Sequence, residues 1–410
     1  MSGYAPSPSD TRSIQPDIPG EVVQATVVSR SSSVVPQPPV PHPRFLARIG
    51  MRIASTWEWC FGIVSLLVGL AILASIPILS FLSLGYLLEV SGRVARTGRF
   101  WQGLIGVRKA ARVGSMVLGT WLMMVPLRTL ADLWYSSQII SVTSWQTRLM
   151  RGLLMIAIVL MTLHLLWAWF RGGRLRHFFW PAPLAFLRRI RQGGLYHEAT
   201  DQLWEFVVGL RLPYYFWLGL RGFVGATVWL LPPMLIMIAA VTVGGGGGIL
   251  LGLIGGVMLA VVVFYLTFLE AHFACERRFM AMFEVRQVRH AFRRAPIAFW
   301  FALLISLASA LPLYLLKIEL TPRQAVWLPS LVFVAFIAPS RLIAGWALAR
   351  AAKREQPRNF VLRWGARLAE LPVIAAYTLI VFLTPFVTWN GKWGLLEQHA
   401  FLLPIPFFGN

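Results

Sequence analysis

Two short segments of the sequence gather side chains that coordinate metals or carry protons. Between Tyr196 and Phe206, His197, Asp201 and Glu205 fall at i, i+4 and i+8, on one face of a helix. Glu270, His272 and Glu276 bring similar groups to the end of an apolar window, with His272 and Glu276 again four apart. Imidazole and carboxylate are competent ligands for a divalent metal, so each set offers a site for a membrane-embedded enzyme acting on lipid. The alternative is a solvated helix face, with Leu203, Trp204, Phe206 and Val207 lying on lipid or protein. Charges inside apolar windows offer a second chemistry, because ionisable groups within a membrane are costly and tend to mark polar pathways. Arg128 and Asp132 stand four apart. They either neutralise each other beside Trp134 and Tyr135 or form half of a polar pathway, with Arg221 or Arg341 opposite. His164, in Leu163-His164-Leu165, is either a histidine bonded to a neighbouring carbonyl or a proton relay. No G-x-S-x-G, H-E-x-x-H, Walker or dinucleotide-binding glycine pattern stands in a usable context. The two cysteines, Cys60 and Cys275, show neither a disulfide framework nor metal spacing. No catalytic residue, metal site or cofactor is assigned on these grounds, and the chain reads as non-enzymatic.

The elements that must position these groups follow from composition. Of 410 residues 57% are hydrophobic and 13% charged, against about 25% charged in soluble domains, too few to cover a water-facing surface. The 38 Lys and Arg against 16 Asp and Glu give a net charge of +22. A nucleic-acid-binding or disordered chain of that charge would be polar, so nucleic acid is excluded as a partner. The expected fold is all-α, a polytopic transmembrane helical bundle of about 8 spans (7–9) of about 20 apolar residues each. Apolar windows stand at 60–88, 114–133, 152–170, 222–243, 249–270, 296–316, 325–348 and 371–389.

Most of the basic residues fall in four alternate loops. Loop 89–113 holds Arg93, Arg96, Arg99, Arg108, Lys109 and Arg112; loop 171–213 includes Arg188, Arg189, Arg191 and Arg211. Loops 270–295 and 349–370 repeat the pattern with Arg277, Arg278, Arg286, Arg289, Arg293 and Arg294, then Arg350, Lys353, Arg354, Arg358, Arg363 and Arg367. The other connections carry little: Arg148 and Arg151, the uncharged Gly244 to Gly248, then Lys317 and Arg323. The positive-inside rule places the four basic loops in the cytoplasm, in the inner membrane of a cell, with anionic phospholipid as the partner of Arg93, Arg96, Arg99, Arg108, Lys109, Arg112, Arg188, Arg189 and Arg191.

Residues 1–43, rich in Pro and Ser, read as a disordered tail with no apolar signal region, and 44–59 as a juxtamembrane amphipathic segment with Arg44, Arg48 and Arg52 on one face. The window 60–88 is long for one span, and Pro77 divides it. A helix followed by a returning half-helix would keep the N-terminus cytoplasmic. The first membrane half then covers 60–243, a glycine linker 244–248, the second half 249–389 and a tail 390–410. The halves overlay at a constant offset, with Leu88-Glu89 on Leu269-Glu270, Arg96 on Arg277, and Val107-Arg108-Lys109-Ala110 on Val288-Arg289-His290-Ala291. Either the pattern is a parallel repeat or it arises by coincidence in Arg-rich loops. Gly248, Gly252 and Gly256, with Gly255 alongside, form a small-residue stripe that lets helices approach closely, within the chain or in a homo-oligomer.

Leu84-Gly85-Tyr86-Leu87-Leu88-Glu89-Val90, followed by Gly92-Arg93-Val94-Ala95-Arg96-Thr97-Gly98-Arg99 and Phe100-Trp101, resembles an uncharacterised bacterial family of multi-pass inner-membrane proteins, a domain of unknown function. That family is in turn similar to the membrane domain of some glycerophosphodiester phosphodiesterases. The resemblance covers residues 60–320 and implies a membrane fold and location, with no activity; no soluble segment is long enough for a phosphodiesterase domain. Three functions stand at this point: a non-enzymatic membrane protein whose basic segments engage anionic lipid and a protein partner; a transporter or lipid-handling protein using Arg128, Asp132, His164, Arg221 and Arg341; and a metal-dependent enzyme.

Overall fold

The structure, a computed structural model, describes residues 45–140, 144–180, 182, 185, 188–189, 191, 194–310, 327–387 and 391–397. The tail 1–43, Arg44, Lys317, Arg323 and residues 398–410 lie outside the described residues. By chain contacts there are two units, residues 1–51 and residues 52–410, and the membrane-crossing helices belong to the second. The protein is an all-α, multi-pass membrane protein. Among the described residues seven helices are long and apolar enough to cross a membrane, and eight spans result if a bent helix pair counts as one.

Helix α1 (Phe45–Ala74) runs without a break through the expected boundary at residue 59, and its apolar part begins at Ser55. It ends just before Pro77, whose ring and missing N–H forbid another turn, and α2 (Ser80–Thr97) follows. The four-residue α3 (Phe100–Gly103) comes next. The Trp59 ring, near the start of the apolar part of α1, lies 4.8 Å from that of Trp101, beyond the end of α2. The two helices therefore leave and return on one side, as a hairpin. α4 (Val107–Ile140) and α5 (Trp145–Phe170) form a second, antiparallel hairpin, with Trp169 Nε1 donating to Thr120 Oγ1 at 3.1 Å. α6 (Leu175–Phe179) folds back so that Phe178 packs on Gly119.

After α7 (Leu195–Val208), helices α8 (Leu212–Val243) and α9 (Gly245–Glu276) form the longest hairpin. Its turn is shorter than the expected linker 244–248. Gly248 N–H already donates to the Gly244 carbonyl at 2.8 Å, so the helix begins within the glycine run, and only Gly244 and Gly245, both with positive φ, turn the chain. A Cβ at Gly248 would stand 2.6 Å from the Ala240 carbonyl oxygen, at Gly255 2.7 Å from Met237, and at Gly252 2.8 Å from Phe382. Gly256 faces Thr378 at an ordinary 3.6 Å. The close-packed stripe is thus Gly248, Gly252 and Gly255, and it is used within the chain.

A 3-10 turn (Phe279–Phe283) leads to α10 (Val285–Arg294), which is bent 114° from α11 (Pro296–Ala308). The cause is Pro296 at the start of α11: it holds Ala295 out of helical backbone (φ −137°, ψ 55°). α12 (Trp327–Ala352) and α13 (Phe360–Val387) complete the bundle.

The core lies where α2, α8, α9 and α12 meet, with Leu84, Leu87, Leu88, Leu218, Leu266, Leu269 and Phe273 buried together. α2 and α8 cross backbone to backbone. A Cβ at Gly85 would overlap the Tyr215 carbonyl, and one at Gly219 would overlap that of Phe81. Lipid supplies no hydrophobic drive between helices, so such contact is what holds them. Gly85→Ala and Gly219→Ala are each expected to destabilise by about 1–3 kcal/mol, read as a lower melting temperature of the purified protein in detergent. Gly69→Ala, where a Cβ meets nothing within 4 Å, is expected to be neutral or to stabilise by up to about 1 kcal/mol.

Candidate functional site

The four basic loops meet at one end of the bundle, and named bonds tie them together. Lys109 of the first loop donates to the Gly209 carbonyl of the second at 3.1 Å. Arg96 of the first reaches the Ala274 and Cys275 carbonyls of the third at 2.9 and 3.1 Å. The Arg358 N–H of the fourth donates to the Arg293 carbonyl of the third at 2.9 Å.

At the centre of this end is Glu89, a buried carboxylate near the last turns of α2. Its Oε1 accepts from Arg96 at 2.7 Å and from Arg277 at 3.1 Å, and its Oε2 accepts from Tyr214 Oη at 2.6 Å. Arg277 also lies over the Tyr214 ring, 5.5 Å from its centroid. Arg96 and Arg277, which overlay in sequence, thus converge on one carboxylate. Deeper in the bundle, Glu270 of α9 is paired with Arg341 of α12, both essentially without exposure, while Glu270 Oε1 has no partner.

Around the end of α9, His272 Nε2 lies 3.0 Å from Glu284, and Arg278 lies 3.5 Å from Glu284 and 3.7 Å from Glu276. His272 and Glu276 therefore take separate partners, and Glu270 is turned to Arg341. His197, Asp201 and Glu205 lie exposed on α7. Among the described residues no three His, Cys, Asp or Glu side chains converge as metal ligands. In the second set Glu270 and Glu276 are each paired with an arginine.

The proposed polar pathway does not assemble either. Arg128 and Asp132 are exposed on α4 and make no ion pair with each other, and the expected local neutralisation is likewise absent. Arg221 is exposed on α8, lying over Trp217 at 5.9 Å. His164 Nε2 donates to the Phe178 carbonyl at 2.6 Å, between α5 and α6. Only Arg341 is buried.

Of the expected lipid-facing cations, Arg99, Arg108, Arg112, Arg188 and Arg191 are exposed, whereas Arg93, Lys109 and Arg189 are half-buried and Arg96 is drawn onto Glu89. The cation excess acts on His177 as well. Burial first, then Arg171, Arg176 and Arg174, pushes its pKa below the usual value.

Sequence reasoning passed over Glu89 and Glu370 as site residues. Glu370 of α13 is buried in a span, and both its carboxylate oxygens lack a hydrogen-bond partner. The available signal was an acidic residue set in an apolar run, Leu87-Leu88-Glu89 and Ala369-Glu370-Leu371.

A multi-pass helical membrane protein with a knitted basic end is what the fold and site define. Compared with protein-family models, curated proteins and solved structures, the chain matches none.

Removing one partner of a buried ion pair leaves an uncompensated charge. Arg341→Met is therefore expected to lose about 3–5 kcal/mol of stability, and the double variant Glu270→Met with Arg341→Met to recover most of it. Unfolding of the purified variants in detergent gives the cycle. A double variant as unstable as the single one would show that the pair is not coupled.

Proposed function

We propose that this chain is a non-enzymatic multi-pass protein of the inner (cell) membrane, whose basic end faces the cytoplasm and seats against anionic phospholipid. The supporting observation is the convergence of the four Arg-rich loops, tied by Lys109 to Gly209, Arg96 to Ala274 and Arg358 to Arg293. Beyond those bonds, Arg99, Arg108, Arg112, Arg188, Arg191, Arg289 and Arg293 stay exposed. Each cation near an anionic surface contributes roughly 1 kcal/mol. α10 buries Val288 and Phe292 in the protein core and lies bent from α11, so the face it turns outward is polar. With α1 and α2 returning to one side, the N-terminus shares the cytoplasmic side, so a reporter fused before α1 is expected to read as cytoplasmic.

Lipids retained when the protein is extracted in polymer-bounded native discs are expected to be enriched in anionic phospholipid. That enrichment is expected to fall when Arg99, Arg108, Arg112, Arg188 and Arg191 are all changed to Gln. A lipid composition equal to that of the bulk membrane would remove the proposal.

A second reading, a transporter or lipid-handling protein, is favoured by Glu370. A carboxyl kept in a span without a hydrogen-bond partner costs stability, and groups retained at such a cost mark function. Glu370→Gln is therefore expected to raise the melting temperature. A lower one would make the carboxyl a structural anchor and withdraw this reading.

A further inference from the structure

The bend at Pro296 does more than turn the chain. It folds α10 across the ends of α9 and α12 and leaves between them an open-mouthed cavity of about 530 Å³, with Arg286, His290 and Ala352 exposed at its rim. Arg286, His290 and Arg294, spaced i, i+4 and i+8 on α10, line one wall. His272, Cys275 and Glu276 of α9 line another, and the remaining lining includes Val288, Ala291, Leu348, Ala351 and Ala352. The polar wall is cationic, because Glu276 is engaged by Arg278 and His272 by Glu284. Arg294 Nε is buried there and has no hydrogen-bond partner, a donor left open at a point where leaving one unmade is costly.

We propose that this cavity binds a phosphate-bearing headgroup. Two guanidiniums and an imidazole on one helix face suit phosphate oxygens, which arginine binds through paired hydrogen bonds. The volume lies within the range of pockets that hold small organic ligands and exceeds what a bare phosphate ion needs. The apolar wall suits the glycerol and first methylenes of a lipid. The inference rests on the lipid-facing reading of the basic end and narrows it to one stoichiometric site.

The test uses the full chain in detergent, with short-chain phosphatidylglycerol and inorganic phosphate as separate probes and binding followed by calorimetry. Phosphatidylglycerol is expected to bind one-to-one. Affinity should fall roughly tenfold or more in Arg286→Gln and in Arg294→Gln, each removing a charge-assisted hydrogen bond. Ala352→Trp, which fills the cavity from its exposed rim and keeps every charge, should abolish binding and so guard against loss by misfolding. In a Cys60→Ser background, where Cys275 is the remaining cysteine, bound lipid should slow modification of Cys275 by a maleimide. Tighter binding of inorganic phosphate than of the lipid would make the site one for a free anion and overturn the headgroup assignment. Lipid binding unchanged by Arg286→Gln, Arg294→Gln and Ala352→Trp would overturn the site itself. Changing Arg99, Arg108, Arg112, Arg188 and Arg191 to Gln separates the two readings: it should leave this stoichiometric binding intact while lowering the general anionic enrichment.

Discussion

Buried carboxylates hold this bundle together, and their placement decides which helices must touch. A carboxylate inside apolar packing is stable only if charge and hydrogen bonds reach it from elsewhere. Glu89 of α2 obtains its partners from its own helix, from Tyr214 at the start of α8 and from Arg277 at the end of α9. Glu270 of α9 obtains Arg341 from α12. Two acidic side chains thereby bind four helices, and the ends of those helices are brought to one level. The gathering of the basic loops follows from this, since each loop begins or ends on a helix so anchored.

Ion pairing fixes which helices are neighbours; glycine fixes how closely they approach. Gly85 against Gly219, Gly92 against Ala274 and Gly345 against Ser91 let α2 lie backbone to backbone on α8, α9 and α12. The two devices depend on each other. Arg96 reaches the Ala274 carbonyl at 2.9 Å because no side chain at position 92 holds α9 away from α2. In a lipid environment, where apolar burial between helices gains little, close contact and internal polar bonds must supply the stability.

The features legible in the sequence were those written along the chain. Apolar windows and alternating Arg-rich loops gave the helical class and the common end of the loops, and Pro77 marked the break between α1 and α2. Local spacing misled where it was used to choose partners. Arg128 and Asp132 are ideal i, i+4 neighbours on α4, yet they make no ion pair with each other. Arg341 and Glu270 lie far apart in sequence and do pair, because both are buried and neither has an alternative. His272, likewise, turned from Glu276 to Glu284 once the 3-10 turn brought Glu284 back. Burial, the quantity that decides these cases, is a property of the assembled bundle.

The overlay of the two halves shows what one residue does to a shared pattern. Val107-Arg108-Lys109-Ala110 and Val288-Arg289-His290-Ala291 open similar basic segments after similar helices. The first segment runs on into α4 as one helix of 34 residues, with Gly114 and Ser115 where the second has Ala295 and Pro296. Its cations Arg108 and Arg112 consequently stand on the outside of a continuous helix. In the second, the proline ends α10 after 10 residues and turns it by 114° from α11. Arg289 and Arg293, which overlay Arg108 and Arg112, stay exposed there as well, while Arg286, His290 and Arg294 of the same short helix line a cavity. The overlaid arginines thus face outward in both halves, and what the proline ring changes is the path of the helix, which turns at Ala295 and leaves room for the cavity beside α10.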